Sequence, residues 1–130
     1  MTWLAPLVLL LAQGAAAPAP REIDPKVAEQ VPIIAAKLDH WRGAWAAAGG
    51  KLGCKTLRSS GDEEIDALGC AAMLSCVKPA YPELKKIADG PAPEADKKRQ
   101  MEAKLAALKP CLTQRRGQGI AEIALRRGRG

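Results

Sequence analysis

The chain contains no phenylalanine and no asparagine, and only one histidine and one tyrosine. Without Asn there is no N-glycosylation sequon. Cys-x-x-Cys, Gly-x-Ser-x-Gly, His-Glu-x-x-His and phosphate-loop sequences are also missing. Thioredoxin-like redox chemistry, c-type haem attachment and the common hydrolase and zinc-protease sites therefore have no sequence support. Beyond the first 17 residues, no apolar run approaches the roughly 20 residues that a membrane-spanning helix needs. Charged residues make up 26% of the chain, an ordinary globular share that argues against wholesale disorder. A length of 130 residues allows one domain.

The start of the chain has its own character. Residues 4–11 read LAPLVLLL, followed by Gln13, Gly14 and three alanines. This resembles the apolar segment and small-residue cleavage zone of a secretory signal peptide. The expected signal peptide is residues 1–16, with Gly14 and Ala16 as the small pair. Pro6, Gln13, Gly14, Pro18 and Pro20 argue against an uncleaved anchor. Residues 17–24 form an Ala/Pro-rich leader without core residues. The Ala- and Arg-rich composition points to a bacterial source, and export from it to the periplasm or beyond.

Residues 25–127 are expected to form a single helical domain, with a flexible basic tail at 128–130. Asp24-Pro25 is a helix start, a capping carboxylate before proline. Val27, Val31, Ile34, Leu38, Trp41, Trp45 and Ala48 then follow at spacings of 4, 3, 4, 3, 4 and 3. That is one apolar helical stripe, with Gly49-Gly50 to stop it. Residues 51–60 read as a connecting loop. A second helix is expected over 61–77, opened by a Ser60/Glu63 capping box and ended by Pro79. A short helix from Tyr81 to Gly90, one over 94–108 and a last one weakened by Gly117 and Gly119 follow. The expected fold is thus an all-α bundle of four or five helices stapled by two disulfides. Beyond residue 16, alanine is nearly as common as all large apolar residues together, so the hydrophobic term is modest and covalent staples matter.

In an exported chain, Cys54, Cys70, Cys76 and Cys111 read as two disulfides. Cys70 and Cys76 sit on one expected helix, about 9 Å apart along its axis, too far to bridge. The stretch before Ser60 reaches at most ~20 Å, whereas Cys70 and Cys76 lie about 15 and 24 Å along the helix. Cys54–Cys70 and Cys76–Cys111 are therefore the expected pairs. The intervening gaps of 15, 5 and 34 residues suit disulfides better than a zinc site, even with His40 added.

Nothing else supplies a catalytic, metal or cofactor site. His40 flanks the stripe without an identifiable catalytic partner. Trp41 and Trp45 continue the stripe and read as core. Glu63, Glu64 and Asp66 compensate a helix dipole. Charge is the better clue: six basic residues over 109–130 face Glu122 alone, which carries +5 of the net +6. Arg115, Arg116, Arg126, Arg127 and Arg129 are candidates for binding an anionic envelope surface. No nucleic-acid motif is present. The expected function is a small exported protein that binds or forms part of the envelope, without catalysis or cofactor. The alternative is a chaperone- or inhibitor-like module holding a protein client.

Overall fold

The computed structural model describes residues 23–129. The expected signal peptide and most of the leader lie outside the described residues. The first helix, α1, spans Pro25–His40. Its cap is Asp24, whose carboxylate accepts the Lys26 N–H at 2.8 Å, with proline next, where no helical hydrogen bond is lost. Pro32 is tolerated within the helix on its exposed side. Val27, Ile34 and Leu38 form the buried stripe.

The stripe does not continue as a helix. At Trp41 the backbone turns extended, and its N–H closes on the Leu38 carbonyl at 3.1 Å. Strand β1, Arg42–Ala48, then pairs antiparallel with β2, Lys51–Arg58. Gly49 and Gly50 join them with φ of +57° and +77°. Two successive left-handed residues are what a tight two-residue hairpin requires. Gly43, Trp45, Leu52, Cys54 and Thr56 face inward in alternation with exposed neighbours. The described residues thus combine four helices with a two-stranded sheet, which overturns the all-α bundle. A spacing of four misleads here, because it fits one helical turn and also two pleats of a strand.

The expected break at Pro79 is absent as well. One long helix, α2, runs over Glu63–Asp89 with Pro79 and Pro82 inside it. Both prolines are exposed. The donors they remove would have served the Ser75 and Lys78 carbonyls, on a side of the helix where water can replace them. Its cap is Asp62 rather than Ser60: the Asp62 carboxylate accepts the N–H groups of Glu64 and Ile65 at 3.1 and 3.3 Å.

Helix α3, Glu94–Ala106, buries no residue fully. It is held to α2 by Lys97 Nζ donating to the Ala88 carbonyl at 3.0 Å and by a Lys104–Glu83 ion pair. Helix α4 runs unbroken over Lys109–Arg129, two residues past the expected helical end. The glycines expected to weaken it allow close packing. A Cβ at Gly119 would collide with Leu68, and one at Gly128 would lie 2.6 Å from the Val27 methyl. Antiparallel α1 and α4 close over a core of Val27, Ile34, Leu38, Trp41, Ile65 and Ile123.

Helix α2 carries both staples. Cys70 joins Cys54 on β2, with 5.5 Å between Cα atoms, and Cys76 joins Cys111 at the start of α4, with 5.9 Å. These are the pairs that chain reach selects. The indole of Trp41 completes the junction. It is 3% exposed, and its Nε1 donates to Thr56 Oγ1 at 3.0 Å.

Candidate functional site

Where the hairpin turn meets the middle of α2, it leaves an open groove of about 740 Å³. Leu52 contributes from β2, and Leu74, Tyr81 and Pro82 from α2. Lys51 and Lys78 bring two amines to these apolar walls, and no carboxylate is among the lining residues. Neither lysine forms an ion pair among the described residues. The size falls in the ordinary range for small-molecule sites.

Local structure places each of these side chains. Leu74, Lys78 and Tyr81 follow at spacings of 4 and 3 and so share one helix face, provided that α2 continues through Pro79. Lys51 and Leu52 are brought over that face by the glycine turn, and the Cys54–Cys70 bridge holds β2 there. Tyr81 meets Trp45 edge to face, with ring centroids 6.5 Å apart. On the Trp45 side lies a second hollow of about 370 Å³, walled by Met73, Val77, Leu105, Leu108 and Leu112.

The basic end is partly occupied with holding the fold. Arg126 donates to Glu64 at 2.8 Å and Arg127 to Asp62 at 2.9 Å, while Lys37 stands 3.8 Å from Asp62. The Arg127 hydrogen bond, with the backbone donors of the cap, holds the Asp62 carboxyl below its usual range and raises Arg127 further. Arg115, Arg116 and Arg129 form no ion pair among the described residues. The five arginines are spread along α4 and do not converge on the groove.

Acidic residues near the α2 start are equally structural. Ser59 and Ser60 hydroxyls donate to Asp66 at 2.5 and 2.6 Å and lower its carboxyl. Lys104 does the same for Glu83. All four cysteines are bridged, and no group of His, Cys, Asp or Glu among the described residues is arranged to hold a metal. His40 is exposed in the last turn of α1, away from the groove.

The groove residues went unnoticed in the sequence because the two prolines divide them there. The available signal was the 4 and 3 spacing of Leu74, Lys78 and Tyr81, together with a Gly-Gly pair followed by Leu52, Cys54 and Thr56 in alternation with Lys51, Gly53 and Lys55. No family model matches this chain, and no curated protein or solved structure matches it either.

Proposed function

We propose that the protein is a small exported binding module, working without catalysis through the groove between the hairpin turn and α2. The observation that carries this reading is the pairing of apolar walls with two uncompensated amines at Lys51 and Lys78. Apolar walls give affinity, and a few placed polar groups give orientation. Two disulfides that anchor the hairpin and α4 to α2 suit an oxidising compartment, and the bacterial periplasm agrees with the signal-like residues 1–16 and the composition. Bridges that hold β2 and α4 against α2 limit the backbone entropy lost when a ligand binds.

Anilinonaphthalene sulfonate, an apolar anion, tests the reading on the full exported protein. Intact mass of the same preparation should show residues 1–16 removed and the four thiols oxidised. Saturable one-site fluorescence is expected, weakened at least tenfold by Lys51→Glu combined with Lys78→Glu. An absence of saturable binding, or equal binding by the double variant, overturns the groove as the working surface.

A further inference from the structure

The two hollows on either side of the Trp45–Tyr81 contact belong together. Tyr81 lines the groove beside the hairpin turn, Trp45 lines the hollow toward α3 and α4, and their rings meet edge to face. The groove carries both amines. The hollow is walled by Met73, Val77, Leu105, Leu108 and Leu112 without a charged group. Both hollows open to solvent, and a charged end continuing into an uncharged one is the polarity of an amphiphile.

We infer that the two hollows form one acyl-chain site whose occupant is a straight-chain fatty carboxylate. This rests on the proposed binding role of the groove and names its ligand. The carboxylate sits at Lys51 and Lys78. The chain runs over Leu74 and passes the ring pair as Tyr81 and Trp45 part, and its end lies against the uncharged walls of the second hollow. The edge-to-face contact between the rings is weak beside the burial of several methylenes. Neither aromatic is locked by a side-chain hydrogen bond among the described residues, unlike Trp41. No carboxylate lines either hollow, so the site repels no anionic head and offers no partner to a cationic one.

The test is displacement of anilinonaphthalene sulfonate from the oxidised full-length exported protein by octanoate, decanoate and dodecanoate below their micelle concentrations. Affinity should rise about fourfold per added methylene. Dodecyltrimethylammonium should bind at least tenfold more weakly than dodecanoate. Leu105→Trp, which fills the uncharged hollow, should abolish the gain from octanoate to dodecanoate while the fluorophore still binds. Leu108→Trp repeats the test from another wall if the first variant does not fold. Equal affinity for octanoate and dodecanoate, an undiminished gain in the filled variants, or equal binding of the cationic amphiphile overturns the inference and leaves the groove reading standing. Failure of the fluorophore to bind the parent protein removes both.

Discussion

Two glycines in helices should respond to alanine with opposite signs. In a helix interior, glycine is less favourable than alanine by about 0.8–1.0 kcal/mol, so replacement stabilises wherever the methyl group has room. Gly117 on α4 has such room: nothing lies within 4 Å of the added Cβ. Gly117→Ala should therefore stabilise by up to about 1 kcal/mol. Gly69 on α2 has none, because its Cβ would lie 2.5 Å from Trp41 Cδ2 and 2.7 Å from Cε2. The indole cannot easily withdraw. It is fully enclosed, its Nε1 is bonded to Thr56, and Gly43 abuts the outer edge of its six-membered ring. Overpacking of this kind costs about 1–3 kcal/mol, and displacing a buried tryptophan costs more. After the propensity gain is subtracted, Gly69→Ala should destabilise by about 2 kcal/mol. For a domain of this size, 1 kcal/mol moves Tm by roughly 4–8 °C. Thermal melts followed by far-ultraviolet circular dichroism should then show Gly117→Ala a few degrees above the parent and Gly69→Ala about 10 °C below it. Shifts of the same sign would refute the packing of Trp41 against α2.

Removing the two staples separately should give unequal losses. The bridges span sequence separations of 16 and 35, for which the chain-entropy model gives about 3 and 4 kcal/mol. In urea titrations, Cys76→Ala with Cys111→Ala should lower stability at least as much as Cys54→Ala with Cys70→Ala. The reverse order would show that the hairpin staple contributes more than loop closure. Acid should unfold the protein through its hydrogen-bonded carboxylates. Asp62, Asp66 and Glu83 all ionise at lower pH when folded than when unfolded. Their contribution is therefore complete above the ordinary carboxylate range, near pH 4, and disappears as pH falls through the lowered folded values. Stability measured by urea titration should be level from about pH 7 to 5 and fall below about pH 4. In Arg127→Ala the acid slope should be shallower, because the hydrogen bond that most lowers Asp62 is gone; an unchanged slope counts against that assignment.

Much of the frame was legible in the chain. Asp24-Pro25 begins α1, Val27, Ile34 and Leu38 form its buried stripe, and chain reach selects both disulfide pairs. Each follows from a local rule: a cap, a helical period, or the length of a connector. The hairpin was not legible by the same rule. Trp41 and Trp45 are four apart, a distance that a helix and a strand both place on one face. The alanines of residues 46–48 favour a helix intrinsically, and tertiary packing overrides that preference. Gly43 must pass close to the Trp41 ring, and Cys54 must reach Cys70 on α2. The groove was hidden for a related reason. Pro79 and Pro82 usually signal an end, yet here both face solvent, where the lost backbone bonds matter less.

The linear order of residues determined where α1 begins, which thiols lie within reach of one another, and how unevenly charge is distributed. Those properties depend on neighbours only a few positions away or on contour length. Only the tertiary structure decided that Gly49-Gly50 turns a hairpin, that α2 runs through its prolines, and that Lys51 and Lys78 face one apolar groove. Segments with balanced local preferences take the conformation that buries Trp41 and brings β2 onto α2. Arg126 and Arg127 show the same division. Their charge is evident in the chain, but their use in anchoring α4 to the start of α2 depends on carboxylates more than sixty residues away.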